Sequence, residues 1–266
     1  ATVTVKCPYC GSVEVIRYGK SRSGRQRYMC KHCIKRFQLE YKNKACQQGI
    51  HKLIVDMAMN SSGTRDTARA LGISKNTVTR VLKKTKDAVT CVNTEILKKK
   101  FVDIDFLGLL EDSGYSKEEV NGFQDEFTKC SLEMDEMWSY CHDKNHQEWL
   151  WWAIDHETGI PIAFCFGTRE HKVLDELLKL LSSVNIRYVY TDNNFAYSSR
   201  IPASQHRIGK QNTQRIERDH LTLRTRIKRL NRKTIGFSKK SEIHRNIISL
   251  FINLEFFHRK IDFSLF

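Results

Sequence analysis

The sequence predicts a multidomain protein in which a small β unit and a helical unit precede an α/β domain. Two Cys-x-x-Cys pairs, formed by Cys7 with Cys10 and by Cys30 with Cys33, lie among short β-prone segments at the N-terminus. The stretch from His51 to Leu97 has helical periodicity and contains no proline. From residue 131 onward, strand-like runs are followed by helical ones. These patterns divide the chain into units at 1–45, 46–100, 101–130 and 131–266.

The charge distribution favours a polyanionic partner. The 266 residues are long enough for one mid-sized domain and one or two small ones. The 45 Lys and Arg residues exceed the 30 Asp and Glu residues, which gives a net charge of +15. Residues 1–100 carry +16 and residues 198–266 carry +11, whereas 101–130 and 131–197 each carry −6. Basic ends suit contact with phosphates, as in nucleic acid or an anionic membrane, and the acidic centre leaves carboxylates free to hold metal.

Membrane and secretory features are missing from the sequence. No apolar run approaches the ~20 residues that span a bilayer, and the N-terminus lacks a charged region followed by an apolar one. The nine cysteines are an odd number, and five of them are scattered outside the two pairs. This usage is typical of metal binding in a reducing compartment. We therefore expect a soluble cytoplasmic protein of a bacterium or archaeon, associated with the nucleoid and without a membrane partner.

The two cysteine pairs predict a zinc ribbon over residues 1–45. They are separated by 19 residues, a spacing typical of two zinc knuckles that bring four thiolates to one tetrahedral ion. A segment of ~40 residues has too little core to fold without such a cross-link. Four thiolates leave no open position for a catalytic water, so the zinc ion held by Cys7, Cys10, Cys30 and Cys33 should be structural. His32 could replace one cysteine, but a surface position suits it better.

Basic and aromatic residues within the ribbon predict a surface that contacts phosphates. Arg25 and Arg27 are the candidates for DNA contact among several Lys and Arg residues in this unit. The aromatic side chains of Tyr28 and Phe37 lie among them in the sequence and are expected to belong to the same surface.

Residues 46–100 predict a helix-turn-helix. Gly63 ends a first helix, Thr64 is the expected cap of a second, and Gly72 makes the turn before Ser74, which caps a basic helix. This last helix is the predicted recognition helix. Its residues expected to face the major groove are Lys75, Asn76, Thr77 and Arg80. A generic three-helix bundle is the alternative interpretation, which the adjacent basic ribbon disfavours.

The last unit predicts an α/β domain, and an acidic stretch precedes it. Residues 101–130 mix acidic and apolar side chains and are interpreted as a linker or docking segment without chemistry of its own. Strands are predicted at 132–140, 149–154, 160–166 and 186–191, with a helix at 170–181 before the last strand. The rest of the chain is predicted to be helical.

Acidic residues in the α/β domain predict a divalent-metal site. Cleavage of a phosphodiester by two ions about 4 Å apart needs carboxylates that converge from different elements. In a ribonuclease H-like sheet they come from the first strand, the end of the fourth strand and a later helix. The candidates in that order are Glu133, Asp135 and Glu136, then Asp192, then Glu217. Asp192 is the most specific on physical grounds, because an acid at the carboxyl end of an apolar strand lies where α/β sites form. Asp155 also ends a strand, but the residues after it predict a hairpin turn.

Three motifs carry a resemblance to a known family. They are the run from Asn212 to Arg218, the run from Glu133 to Trp138, and the pair Thr191 and Asp192 with Tyr197 after it. Together with the ribbon and helix-turn-helix, they resemble the transposases of the insertion-sequence-one family. The likeness covers nearly the whole chain apart from residues 101–130, and the segment around Glu217 is its most specific part.

The resemblance implies a DDE transposase with a ribonuclease H-like catalytic domain. Its triad would be Asp135, Asp192 and Glu217, with 24 residues between the last two, and would hold Mg²⁺ or Mn²⁺. Arg224 matches the family's basic residue and follows Glu217 by two helical turns. The family usually has a Gly-Trp-Pro stretch after its second Asp, whereas this chain has residues 193–196 of the sequence Asn-Asn-Phe-Ala.

The implied activity is cleavage and joining of double-stranded DNA. The protein would bind the terminal inverted repeats of an insertion sequence, cut there, and transfer the strand into target DNA, acting as a homodimer or higher oligomer. Full-length proteins of this kind resemble fusions of two reading frames. Two alternatives remain: a non-catalytic DNA-binding regulator, which the intact acids and Arg224 disfavour, and a sequence-independent nuclease, which would not need two DNA-reading units.

Overall fold

The computed structural model describes residues 4–101, 116, 129–231, 233 and 236–263. Most of the predicted acidic linker, residues 101–130, lies outside the described residues. Within those ranges, the helices are all too short or too polar to cross a membrane.

The N-terminal unit is a three-stranded antiparallel sheet with the order β1-β2-β3. Its strands are β1 (Val15–Lys20), β2 (Gln26–Cys30) and β3 (Arg36–Phe37). The core of this unit consists of Cys7, Cys30 and Phe37, and the ring of Tyr28 stacks on that of Phe37 at 5.7 Å. Phe37 is only 3% exposed, so the prediction that it belongs to a phosphate-facing surface is wrong. A unit with so few other apolar residues needs Phe37 for its core.

Three helices follow in the predicted order, and a fourth follows them. They are α1 (Ile50–Met59), α2 (Thr64–Leu71), α3 (Lys75–Lys84) and α4 (Thr94–Phe101). Gly72 adopts a left-handed φ of 63° at the turn, which a residue with a side chain rarely adopts. The hydroxyl of Ser74 then accepts a hydrogen bond from the Asn76 backbone N–H at 3.2 Å, as predicted. Thr64 does not cap α2, because it is the first helical residue and Gly63 holds the cap position.

The α/β domain is built on a five-stranded mixed sheet with the order β6-β5-β4-β7-β8. The strands are β4 (Cys130–Tyr140), β5 (Gln147–Asp155), β6 (Pro161–Gly167), β7 (Ile186–Thr191) and β8 (His206–Ile208). Pairs β4–β5 and β5–β6 are antiparallel, and pairs β4–β7 and β7–β8 are parallel. The four predicted strands are confirmed. Sequence analysis missed β8, because a three-residue edge strand carries no apolar alternation.

Helices cover both faces of this sheet. They are α5 (His171–Leu180), the short α6 (Phe195–Ser198), α7 (Gln214–Arg226) and α8 (Ser241–Phe251), which continues as a π-helical segment Ile252–Phe256. Leu174 and Leu177 of α5 belong to one hydrophobic cluster with Met134 of β4. Leu223 of α7 belongs to the other cluster, with Met137 of β4. Because side chains alternate along β4, its even- and odd-numbered residues face different helices.

The helical unit packs directly against the α/β domain. Ile54 of α1 and Val78 of α3 belong to the same hydrophobic cluster as Ile248 of α8. The buried guanidinium of Arg229 donates to the carbonyl of Ala58 at the end of α1. The side-chain amide of Asn246 donates to the carbonyl of Leu82 at the end of α3, at 3.1 Å. Helix α3 therefore shares a core with the domain whose sheet carries the acidic residues.

Candidate catalytic and DNA-binding sites

Strand β4 directs its acidic residues to two different faces of the sheet. Glu133 and Asp135 face α7: Glu133 accepts a hydrogen bond from the backbone N–H of Ile216, and Oδ2 of Asp135 lies 3.4 Å from Nδ1 of His220. Glu136 faces the opposite side, where Tyr197 of α6 contacts it. The periodicity of the sequence alone did not separate Asp135 from Glu136, but their surroundings differ.

Both oxygens of the Glu136 carboxylate accept hydrogen bonds within the fold. Arg169 donates to its Oε1 through Nε at 2.9 Å and Nη2 at 2.7 Å, and Nδ2 of Asn194 donates to the same atom at 2.7 Å. The hydroxyl of Tyr197 donates to Oε2 at 2.9 Å. Burial raises the pKa of Tyr197 well above its ordinary value, and the charges of Glu136, Asp135 and Asp192 raise it further. Glu136 therefore fastens the loop that follows Asp192, whereas Asp135 lies on the other face of the sheet, beside His220 of α7.

Glu133 also has a structural role. Its side chain is 1% exposed and accepts hydrogen bonds from Nδ1 of His156 at 2.8 Å and from the Ile216 N–H at 3.2 Å. Ile216 lies in the first turn of α7, where backbone N–H groups lack partners within the helix. The strand therefore caps the helix that carries Glu217.

Asp192 is the first residue after β7, the strand that pairs with β4. The parallel pair β4–β7 places Glu133 opposite Tyr190, and the two aspartates follow these residues by two positions each. Asp135 shares the face of Glu133, which α7 covers, whereas Asp192 lies beyond the end of β7. Oδ1 of Asp192 accepts the Asn194 backbone N–H at 3.0 Å. The separation of these residues in sequence is long, and only the sheet brings them together.

An open depression of about 530 Å³ lies beside Asp192. It is lined by Arg169, His171 and residues 192–196. Phe195, in this lining, is 74% exposed. Sequence analysis did not single out Arg169 or Phe195 as parts of this site. An aromatic residue three positions after the acid at a strand end was the available signal for Phe195, whereas the contact between Arg169 and Glu136 depends on tertiary structure.

Glu217 lies in the first turn of α7 and is exposed to solvent. Arg224 follows seven residues later on the same side of the helix and is partly buried. His220, between them, is buried against Asp135, and its ring contacts that of Trp152 at 6.3 Å. Among the described residues, the carboxylates of Asp135, Asp192 and Glu217 do not form one of the clusters with all ligand atoms within 4.8 Å of one another. The fold thus places Asp135 on β4, Asp192 after the neighbouring strand β7 and Glu217 on the covering helix α7, without closing all three around a point.

Asp155 is confirmed as part of a hairpin turn. It is completely buried and accepts hydrogen bonds from the Thr158 N–H at 3.0 Å, the Thr158 hydroxyl at 2.5 Å and the Cys130 thiol at 3.0 Å. Gly159 completes the turn with a left-handed φ of 73°. The residue is held as a turn anchor, separate from the candidate metal ligands.

The four cysteines of the N-terminal unit form a cluster that fits a zinc ion. The four Sγ atoms lie within 4.8 Å of one another, and the Cys7–Cys33 and Cys10–Cys30 pairs are each 3.6 Å apart. A tetrahedral ion with Zn–S bonds of about 2.3 Å needs sulfur atoms about 3.8 Å apart. His32 lies outside the cluster and is exposed.

The predicted DNA-contacting residues are largely accessible. Lys75, Asn76 and Arg80 of α3 are exposed and Thr77 is half-buried, whereas Val78, Val81 and Leu82 are buried. In the ribbon, Arg25 forms an ion pair with Glu40 at 3.4 Å, and Arg27 lies 6.0 Å from the ring of Tyr18. The recognition helix therefore presents its polar face to solvent while its apolar face packs on the α/β domain.

Comparison with protein families assigns each of the three units. A family model described as IS1 transposase matches residues 129–258. A model of the InsA C-terminal domain, of the helix-turn-helix type, matches residues 41–86, and a model of the InsA N-terminal domain, of the zinc-ribbon type, matches residues 1–34. The zinc ribbon and the helix-turn-helix predicted from sequence are thereby supported.

Curated relatives match about half of the chain. The InsB protein of insertion element iso-IS1n from Shigella dysenteriae is 47% identical over 126 residues, which are 47% of this chain and 96% of that protein. The InsB protein of IS1 from Shigella flexneri is 41% identical over 123 residues, 46% of this chain and 94% of that protein. An IS1 InsB protein of Escherichia coli strain K12 is 40% identical over 123 residues, 46% of this chain and 74% of its own length.

Proposed function

Because the chain belongs to the IS1 transposase family, we propose that it binds the terminal inverted repeats of an insertion sequence and catalyses Mg²⁺-dependent strand cleavage and strand transfer into target DNA. The observation that best supports the proposal is the parallel pairing of β4 with β7, which brings the strand of Asp135 beside the strand that ends before Asp192, while α7, the helix of Glu217, covers the Asp135 side. Such a set of oxygen ligands suits Mg²⁺ or Mn²⁺.

The order of the elements supports a ribonuclease H-like catalytic domain. Asp135 lies on β4, the first strand of the five-stranded sheet; Asp192 follows β7, the fourth strand; and Glu217 lies on a later helix. This is the order in which such a sheet supplies its carboxylates. We assign the three residues as the metal ligands of the domain on this basis.

In the proposed reaction, a water molecule attacks the phosphorus at the element end, and the bond from phosphorus to the 3′ oxygen breaks. The released 3′-hydroxyl then attacks a phosphorus of target DNA, forming one P–O bond while another breaks. Metal ions held by the three carboxylates would lower the pKa of the attacking water and stabilise the leaving oxygen. Neither Tyr197 nor Ser198 is needed as a nucleophile, and Tyr197 is buried against Glu136.

Other residues of the chain position the DNA. Arg224, on the same side of α7 as Glu217, would orient a phosphate of the cut strand. The polar face of α3 would read base edges in the major groove, and the basic ribbon would hold the backbone. Two ends must be processed together, so we propose that a homodimer or higher oligomer assembles on DNA.

The decisive experiment is cleavage and strand transfer on labelled end DNA, scored beside DNA binding on the same preparations. Glu217→Gln keeps the size of the side chain and removes its charge, so activity should fall by orders of magnitude while the fold and end binding survive. Asp135→Asn and Asp192→Asn should behave in the same way. Arg224→Ala should reduce activity less, because it would contact phosphate and no metal.

Glu157→Gln is the matched control. Glu157 is exposed in the turn after β5, and its backbone carbonyl accepts a hydrogen bond from Arg215 of α7, so it is an acid close to the same helix. Its variant should keep full activity. Full activity in Glu217→Gln would exclude the triad. An unaltered protein that binds end DNA but cuts none would favour the non-catalytic regulator.

A further inference from the structure

We propose that the hairpin between β4 and β5 binds a transition-metal ion, Zn²⁺ in the first instance, through His142, Asp143 and His146. Among the described residues, this is the second cluster whose ligand atoms all lie within 4.8 Å of one another, besides the four cysteines. Two imidazole nitrogens and one carboxylate oxygen form a ligand set that suits Zn²⁺ and its neighbours in the first transition series, and not Mg²⁺.

The two imidazole rings converge on one carboxylate oxygen. Nδ1 of His142 lies 3.1 Å and Nδ1 of His146 lies 3.0 Å from Oδ2 of Asp143. The Asn145 backbone N–H donates to the other oxygen, Oδ1, at 2.8 Å, which fixes the orientation of the carboxylate. An ion placed between the three ligand atoms would take the place of the two N–H hydrogens.

The backbone of the hairpin is held in place before any ion binds. The Cys141 N–H donates to the His146 carbonyl at 3.0 Å, and the His142 N–H donates to the Ser238 carbonyl at 2.7 Å. His142 has a left-handed φ of 68°, which is costly for a residue with a side chain. The turn and its anchor to Ser238 thus keep the ligands close together, which reduces the entropy that an ion must overcome.

The site is open and separate from the proposed catalytic centre. The side chains of His142, Asp143 and His146 are 72%, 43% and 68% exposed, so an ion can enter and a water molecule can complete its coordination. His142 follows Asp135 by seven residues along β4 and its end, a span of up to roughly 23 Å at about 3.3 Å per residue. A metal bound here is independent of the triad.

The test is zinc uptake by the full chain after exhaustive chelation, measured by competition with a chromophoric chelator. The unaltered protein should bind one more ion than His146→Ala, and Asp143→Asn should lower the affinity of that ion at least roughly tenfold. Lys144→Ala, which changes an exposed residue of the same turn, should bind like the unaltered protein. Cobalt substitution separates the sites, because only the ribbon ion should show absorption from thiolate-to-metal charge transfer.

All three changed side chains are exposed or partly exposed, so the variants should unfold at the same denaturant concentration as the parent. Measurement of that midpoint checks the comparison. Equal zinc uptake by the unaltered protein and His146→Ala would overturn the proposal. An equal loss in Lys144→Ala, or survival of the extra ion in Asp143→Asn at unchanged affinity, would overturn it as well. If the extra ion is lost in Cys30→Ser but retained in His146→Ala, it belongs to the ribbon and not to the hairpin.

Discussion

The carboxylate of Glu133 on β4 accepts a hydrogen bond from the backbone N–H of Ile216, 3.2 Å away in the first turn of α7. Asp135 lies two residues after Glu133 on the same strand, and Glu217 directly follows Ile216 on α7. A single buried contact therefore ties the strand of one proposed metal ligand to the helix of another. Loss of this contact should therefore lower both the free energy of unfolding and the rate of DNA cleavage.

Replacing Glu133 should loosen α7 on the sheet. Glu133→Ala leaves the buried Ile216 N–H without its acceptor and removes the partner of the partly exposed His156, which should lower the free energy of unfolding by about 1–3 kcal/mol. Cleavage of end DNA should fall while DNA binding remains. Glu133→Gln keeps one acceptor oxygen and should lose less on both counts. Urea denaturation and cleavage assays measure the two effects, and an Ala variant as stable and active as the parent would contradict the assigned role.

Removal of zinc should unfold the N-terminal unit and leave the α/β domain intact. Outside its four cysteines, this unit has little core, so chelation or Cys30→Ser should abolish its structure and weaken binding to end DNA. Cys46→Ser is the control, because Cys46 is exposed and lies outside the cluster. Zinc content by elemental analysis and binding by titration check this. A zinc-free protein, or normal end binding by Cys30→Ser, would show that the ribbon has been assigned incorrectly.

The two DNA-binding units should differ in what they recognise. Arg80 is exposed on α3 and should contact base edges, so Arg80→Ala should reduce the preference for end DNA over random DNA by about 1–3 kcal/mol. Arg25→Ala should weaken binding to both DNAs equally and reduce the salt dependence by about one unit, because it would contact phosphate. Titrations of both variants at several salt concentrations distinguish the two outcomes. Equal losses on both DNAs for Arg80→Ala would argue against base reading by α3.

Stability should fall with acid because of His244. Burial, together with the charges of Arg229 and Arg245, lowers the pKa of His244 from its ordinary value of 6.5 to about 3. Neutral His244 accepts from the Ser238 hydroxyl and donates to that of Ser139, at 2.9 Å each, while Arg229 donates to Ser238. The folded protein therefore excludes a proton that the unfolded chain takes up below pH 6.5.

The stability that neutral His244 contributes is present above about pH 6.5 and is lost as the pH falls from there towards 3. At pH 5 the loss from this one group should be about 2 kcal/mol relative to pH 7. Denaturation of His244→Asn between pH 5 and 7 should show a smaller slope than the parent. His258→Asn, which changes an exposed histidine, should keep the parent slope. If the free energy of unfolding changed with pH equally in the parent and His244→Asn, His244 would not be the cause of the acid sensitivity.

The sequence by itself determined the features that depend on neighbouring residues. The spacing of the cysteine pairs predicted the ribbon, because two Cys-x-x-Cys turns can present four sulfur atoms to one ion. Gly72 and Ser74 predicted the start of α3, because a left-handed turn and a side-chain cap are local requirements of the backbone. The strand that ends before Asp192 followed from a run of apolar and β-branched residues.

Only the tertiary structure determined which acidic side chains form hydrogen bonds within the fold and which helix covers each face of β4. Glu133 meets Ile216 across 83 residues of sequence, and Arg229 meets Ala58 across 171. No local pattern encodes such pairs, since they depend on which face of β4 each helix covers. Helix packing also distinguishes Asp135 from Glu136. Adjacent strand residues point to opposite faces of a sheet. Because α6 and α7 pack on different faces, Glu136 is surrounded by hydrogen-bond donors, whereas Asp135 faces the helix of Glu217.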